Sequence, residues 1–294
     1  MNGIINVIKP PLITSFKVVE LIKRKFKVKH IGHLGVLDPI AIGLLQVAVG
    51  SATKLFDYFI ALERAYRVEL LLGIATDSQD SAGNPIRISE EVSLTGLEDV
   101  INSFKGEISQ IPPMYSTLHY QGERLYKLAR EGIEVPRKPR RVLIKSIDIL
   151  DIKEGRYPRV ILDVVCQRGT YIRTLCHDIG EKLGVGGHMA SLIRTRIGTI
   201  DLTKAYPLTE ILERGSSIAD YFMSWTLLDD MKKIELIVKK QRDNFIKGKP
   251  IELFRPVSSE REFVSVWYDG ICIGVGKVSQ NILSPVAIER LNVD

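Results

Sequence analysis

Cysteine is scarce in this sequence. Its 294 residues include 3 cysteines. Cys166, Cys176 and Cys272 are odd in number and widely spaced. They form neither a disulfide framework nor a zinc knuckle, and a reducing cytoplasm is the simplest compartment to expect. No apolar run is long enough to span a bilayer, and the opening MNGIINVIKP lacks the charged start and long apolar middle of a signal peptide. No membrane partner is expected. Neither G-x-x-x-x-G-K-[ST] nor G-x-G-x-x-G occurs, which argues against a nucleotide cofactor. The G-x-S-x-G nucleophile elbow is also absent. His30 and His33 are three apart, but no cysteine or further histidine joins them at metal spacing, so no metal is expected. There is no internal repeat and no low-complexity segment.

What is present is a chain able to bury a core. It is 45% hydrophobic and 26% charged, which excludes intrinsic disorder. Its length suits one large domain, alone or with a small one. Lys and Arg outnumber Asp and Glu by 41 to 35, a formal +6, compatible with a polyanionic partner.

The chain is organised around His30-Ile31-Gly32-His33-Leu34-Gly35-Val36-Leu37-Asp38-Pro39-Ile40-Ala41-Ile42-Gly43. This is a glycine-punctuated loop with one carboxylate, running into an apolar segment. Pro39 holds Asp38 out of the helical region and suits the first position of a helix. Asp38 therefore reads as a helix N-cap near the positive end of the dipole. An Asp-Pro pair before an apolar run is usually only a cap. An ionised carboxylate on a rigid turn is also what a nucleophile or general base requires.

Along the chain, 3–8 reads as a strand, and Thr14 or Ser15 can cap a helix over 16–27. Phe16, Val19, Ile22 and Phe26 mark the apolar face of that helix. Lys17, Lys23, Arg24, Lys25 and Lys27 mark the other, with Lys29 just beyond. Such a charge run is usually a solvated face, and less often a phosphate-contacting edge. The sequence then predicts a buried strand at 44–49, a helix at 51–62 with Ala52, Leu55, Phe56 and Phe59 on one side, and a strand at 64–74. Residues 76–85 are dense in turn formers. Thr95 and Glu98 fit a capping box opening a helix through 104. Extended structure is expected at 106–111, then a helix at 123–130 and a second basic cluster at Arg137, Lys138, Arg140 and Arg141.

Paired strands are expected at 142–152 and 159–165. Gly169 then turns the chain, and Thr170 can cap a helix running to about 183. Arg173 lies in its first turn, where a cation is unfavourable, so it calls for a carboxylate partner, and Asp38 is a candidate. Residues 184–188 read as a flexible link, 192–200 as a strand and 206–228 as irregular to helical. The character changes near Asp229-Asp230. A basic helix at 231–246 and short strands at 262–267, 271–278 and 284–290 suggest a small, mostly β module.

What remains is a cofactor-free site built on a carboxylate, an arginine, tyrosines and a basic surface. That set suits attack on a sugar or base within a nucleic acid, with aromatic rings stacking on an extruded base.

Gly32-His33-x-Gly35-x-Leu37-Asp38-Pro39-x-Ala41-x-Gly43 resembles the signature of the bacterial tRNA pseudouridine-55 synthases, the TruB type. The resemblance extends over most of the chain. It takes in Lys9-Pro10 with Thr14-Ser15, Tyr66, and Gly73 with Thr76-Asp77-Ser78-x-Asp80-x-x-Gly83. It continues through Phe104-x-Gly106, Gln110-x-Pro112-Pro113-x-Tyr115-Ser116, Gly122-x-Arg124-x-Tyr126-x-x-Ala129-Arg130 and Gly169-Thr170-Tyr171-Ile172-Arg173-Thr174-Leu175. Leu12 departs from it, standing where the family's opening motif has glycine.

The resemblance implies an α+β fold: a catalytic core over 1–229 with a large, mostly antiparallel mixed sheet and a central insert at about 76–140, and a small PUA-like RNA-binding module over 230–294. It implies a monomeric cytoplasmic isomerase that converts the uridine at position 55, in the T-arm loop of tRNA, to pseudouridine without cofactor or metal. Asp38 would be the nucleophile and Arg173 its ion-pair partner. Tyr66 would stack on the flipped base and assist proton transfer, and Tyr171 and Leu192 would line the uracil pocket. His33 would contact the RNA, and Lys9 would support the site. A catalytically weak or inactive tRNA-binding or tRNA-folding protein of the same fold is the alternative. A carboxylate-pair glycosidase is a third reading, and would need Asp77, Asp80 or Asp178 about 5 Å from Asp38.

Overall fold

The computed structural model describes residues 1–228, 231–254 and 262–289. The fold is mixed α/β, with a large mixed sheet and a separate small β-sheet near the C-terminus. By residue contacts the chain divides into two compact units, Met1–Leu62 with Arg196–Asp294, and Glu63–Thr195.

In the first unit, strand Gly3–Lys9 lies antiparallel to strand Ile42–Val49, with Val7 opposite Leu45 and Lys9 opposite Gly43. Seven of the eight residues of Ile42–Val49 are buried, as befits a strand covered on both faces, which reads as a continuous apolar run without period. Helix Ser15–Phe26 is capped by Thr14, whose side chain accepts from Lys17 N. Its buried face is Ser15, Val18, Val19 and Ile22, whereas Phe16 is 69% exposed. The expected apolar face is therefore rotated, and Phe16 lies outside it. A 3-10 turn Gly50–Leu55 leads into helix Phe56–Ala61. Ala52, Leu55 and Phe59 are buried as expected, while Phe56 faces solvent.

The small sheet runs in the order Lys232–Leu236, Phe263–Tyr268, Ile271–Ser279, Ile282–Ile288, Ile251–Glu252. Its Val275 and Ala287 join Ile4, Leu44, Ala48, Leu55, Phe59 and Trp225 in one hydrophobic cluster. The single basic helix expected over 231–246 is instead a strand followed by helix Lys239–Ile246. Lys232–Leu236 pairs in parallel with Phe263–Tyr268, and that long-range ladder outweighs local helix propensity. The expected boundary at Asp229-Asp230, and Arg290 at the end of the last expected strand, lie outside the described residues.

In the second unit, strands Arg64–Leu72, Arg159–Cys166, Arg140–Lys153 and Gly106–Gln110 form an antiparallel series. Strand Gly187–Ile197 flanks Arg64–Leu72 on the other side. The inward row of Arg64–Leu72 alternates cleanly: Arg64, Tyr66, Val68, Leu70 and Leu72 are buried. Helix Ile172–Lys182 starts at Tyr171, without a side-chain cap; Thr170 donates its hydroxyl to Gln167 O instead. The capping box expected from Thr95 and Glu98 does not form, because Gly96 takes the N-cap position in a left-handed conformation. Nor is 184–188 simply a link: Gly187 and His188 open the strand and are buried. A Cβ on Gly180 would lie 2.3 Å from Gly187 N, so this helix–strand approach requires glycine.

Candidate active site

Lys9, His33 and Asp38 belong to the first unit. No helix follows Asp38; a turn closes with Ala41 N donating to Asp38 O at 3.1 Å and leads into strand Ile42–Val49. The N-cap expectation is thus corrected. Ile40 and Ile42 are β-branched, and Gly43 sits at φ 110°, a conformation outside any helix. Asp38 is half-buried, and its neighbours are fixed. Leu37 N donates to Ser15 Oγ at 2.9 Å, and Leu12 N donates to Pro39 O at 2.8 Å.

Lys9 is fully buried. Its ammonium donates to Pro10 O (2.8 Å), Ile13 O (2.8 Å) and Pro39 O (3.0 Å). Burying an ammonium is costly unless its protons are bonded; here they tie the 9–13 segment to the residue after Asp38. His33 ends the short strand Ile31–His33, opposite Val47, and is half-buried.

Tyr66, Tyr171, Arg173 and Leu192 belong to the second unit. Arg173 is buried, 3.7 Å from the Asp80 carboxylate, and donates to Tyr115 O at 2.9 Å and Ser78 O at 3.4 Å. A carboxylate for this helix-start cation is therefore supplied by Asp80. Asp80 is itself held by Ser78 Oγ at 2.6 Å and Ala82 N at 3.0 Å, while Thr76 Oγ1 donates to Asp80 O at 2.7 Å. The dense turn over 76–85 is thus a frame that aims one carboxylate. Gln110 clamps Tyr171, donating to its carbonyl at 3.3 Å and accepting from its N–H at 3.1 Å.

Tyr66 is buried. Burial pushes the phenol above its ordinary range, and the Arg194 and Arg64 cations pull it back. Arg64, two residues before Tyr66 on the same face, is lowered by its own burial. Leu192 is buried two residues before Arg194.

Sequence reasoning does not find Asp80 as a partner of Arg173, Gln110 as the clamp of Tyr171, or Arg64 and Arg194 beside Tyr66. Period-two spacing from Tyr66 and Leu192 is the only local sign of the last pair. Among the described residues, no cluster of three or more His, Cys, Asp or Glu is arranged to hold a metal. Nor is any helix of the described residues long and apolar enough to cross a membrane.

The arrangement offers a carboxylate on a pinned turn in one unit, and an aromatic ring with buried cations in the other. The fold is that of a pseudouridine synthase: one chain in the crystal structure of a Cbf5–Nop10–Gar1 complex superposes with a TM-score of 0.69 at 25% identity, over 98% of this chain and 84% of that one. The model of the TruB family pseudouridylate synthase N-terminal domain matches residues 23–172. The model of the tRNA pseudouridylate synthase B C-terminal domain matches residues 173–231. The protein named tRNA pseudouridine synthase B in Moorella thermoacetica is 48% identical over 219 residues, 72% of each chain. Its namesake in Clostridium perfringens strain 13 is 40% identical over 286 residues, 94% of this chain and 95% of that one. The chain belongs to the TruB family of pseudouridine synthases and is an isomerase.

Proposed function

We infer that this enzyme converts the uridine at position 55, in the T-arm loop of tRNA, to pseudouridine, acting as a cytoplasmic monomer without cofactor. The observation that carries the reading is the fixed turn at Asp38. Lys9 and Ser15 hold the residues on either side of it, so the carboxylate is presented without the entropy cost of ordering a loop at each turnover.

Sequence-specific RNA recognition mostly takes loops whose bases can be splayed out. The target uridine flips out at a cost of a few kcal/mol, offset by stacking on Tyr66 and by backbone contacts. Tyr171 and Leu192 line the uracil pocket, and His33 contacts the RNA. Asp38 attacks as the nucleophile, and Arg173 is the cation that keeps it ionised. The glycosidic bond breaks, the base turns, and a carbon–carbon bond forms; a covalent or closely held intermediate prevents escape of the base. Residues 1–229 carry this chemistry, and 230–294 act as a PUA-like RNA-binding module.

The test is incubation with an unmodified tRNA transcript, followed by mapping of pseudouridine. Wild type should modify one T-loop uridine. Asp38→Asn should form none while binding the transcript with nearly unchanged affinity. Turnover by that variant would remove Asp38 from the mechanism. Binding without modification by the wild type would favour a tRNA-binding or tRNA-folding protein.

A further inference from the structure

Helix Ile172–Lys182 begins without the Ser, Thr, Asp or Asn side chain that ordinarily caps a helix start. Its start is held instead by Gln110, 61 positions earlier in the chain. Gln110 ends the strand Gly106–Gln110, opposite Arg140 in register, and is 1% exposed. Both halves of its amide engage one residue. Oε1 accepts from Tyr171 N at 3.1 Å, and Nε2 donates to Tyr171 O at 3.3 Å.

This is the ring of two bonds that an antiparallel strand pair makes, closed here by a side chain. It suits Tyr171, whose backbone is extended at φ −95° and ψ 108°. The Tyr171 carbonyl also accepts from Leu175 N at 3.0 Å as the helix begins, so both its lone pairs are engaged. From Gln110 the chain runs into Ile111-Pro112-Pro113, where the two prolines restrict the backbone. Arg137 Nη1 donates to Pro112 O at 3.2 Å. Tyr115 O then accepts from Arg173 at 2.9 Å. One stiff segment thus grips residue 171 at one end and residue 173 at the other.

Packing alone does not call for an amide here. An apolar side chain of the same length would fill the space without two polar atoms to satisfy. What the amide adds is a fixed backbone torsion at Tyr171. We propose that Gln110 is a positioning residue for the reaction: its two bonds lock the Tyr171 backbone, so that the ring meets the flipped uracil in one orientation. This role rests on the tRNA-modifying function proposed for the enzyme, in which Tyr171 lines the uracil pocket. A ring ordered beforehand gives up less entropy on meeting the base, and a displacement of about 1 Å at a positioning group can cost on the order of a hundredfold in rate.

The experiment compares wild type with Gln110→Met and Gln110→Glu, each also in a Tyr171→Ala background, on an unmodified tRNA transcript. Methionine matches glutamine in length but makes neither bond; glutamate keeps the acceptor and loses the donor. Single-turnover rate at saturating RNA, RNA affinity, the denaturant midpoint and hydrogen exchange of the Tyr171 amide are measured. Gln110→Met should lose roughly tenfold or more in rate, keep affinity within about twofold and speed exchange at Tyr171. The rate loss should persist where the midpoint shows the variant to be folded. Gln110→Glu should retain part of the rate. In the Tyr171→Ala background, Gln110→Met should cost little further.

A wild-type rate or unaltered Tyr171 exchange in Gln110→Met would overturn the proposal, as would a full additional loss in the Tyr171→Ala background. Should Gln110→Met not fold, Gln110→Glu decides: identity with wild type in both rate and exchange means that the clamp does no positioning. A wild type inactive on tRNA would sink the functional reading, yet exchange at Tyr171 would still report the clamp.

Discussion

The carboxylate of Asp80 and the guanidinium of Arg173 stand 3.7 Å apart, both buried. The pair joins a turn over 76–85 to the first turn of helix Ile172–Lys182. Removing one member of a buried pair strands the other charge, whereas both together roughly offset their desolvation. Asp80→Asn should therefore destabilise the protein by about 3 kcal/mol, read from denaturant unfolding. Arg173 would keep its bonds to Tyr115 O and Ser78 O but lose the charge of Asp80. Pseudouridine formation should fall roughly tenfold or more while RNA affinity stays close to wild type. Unchanged stability would mean that the pair contributes nothing.

Leu12 is a second point of tension. It adopts φ 66°, the left-handed region that costs a residue with a Cβ about 1–2 kcal/mol, and its side chain is 81% exposed, so it gains little in return. The resemblance to a motif with glycine here now has a physical reason: the chain must bend back so that Leu12 N reaches Pro39 O at 2.8 Å. Leu12→Gly should stabilise the protein by roughly 0.5–1 kcal/mol, the relief of strain less the extra entropy of an unfolded glycine. The midpoint of denaturant unfolding measures this, and a lower midpoint would show that the Leu12 side chain packs against something after all.

How far the sequence can be read depends on the range of the forces involved. Helix Ser15–Phe26 and its Thr14 cap are legible because caps and 3.6-residue periodicity are local. The strands around Tyr66 are legible from period-two alternation. The Asp38 turn reads wrongly as a helix start, because Asp-Pro reports only that the backbone leaves the helical region at Asp38. Beyond Pro39 the backbone conformation is decided by strand pairing with Gly3–Lys9. Asp80, Gln110 and Arg194 escape detection as partners because each contact spans tens of residues, and no spacing rule covers such a distance. The same holds for Lys232–Leu236, a strand only because Phe263–Tyr268 lies beside it.

Asp178 makes the stability of the second unit depend on pH. Burial, with Glu181 nearby, pushes its carboxyl up to about 6. The native state therefore binds this proton more tightly than the unfolded chain does, so stability falls as pH rises from the ordinary aspartate range to about 6, and the full penalty remains above that. Asp178→Asn should remove the fall. At pH 8 the variant should be more stable by on the order of 1 kcal/mol, discounted for the solvent the side chain still reaches, and near pH 4 the two proteins should be alike. Parallel unfolding curves across that window would place the burial penalty elsewhere.

We expect the basic face of helix Ser15–Phe26 to contribute to the salt dependence of RNA binding. Lys17, Lys23, Arg24 and Lys25 are exposed, and Lys27 and Lys29 continue the run beyond the helix. Lys17 is already paired with Glu20 at 3.0 Å, so it has less charge to offer a phosphate. Each lysine that contacts phosphate releases counterions on binding, contributing about 0.7–0.9 to the slope of log affinity against log salt concentration. Lys23→Ala and Lys25→Ala should each weaken tRNA binding at low salt and flatten that slope by roughly this amount. Lys17→Ala should change it less. Pseudouridine formation at saturating RNA should survive all three substitutions, since they alter association with the substrate and not the bond-breaking step. A slope untouched by Lys23→Ala and Lys25→Ala would return this face to plain solvent.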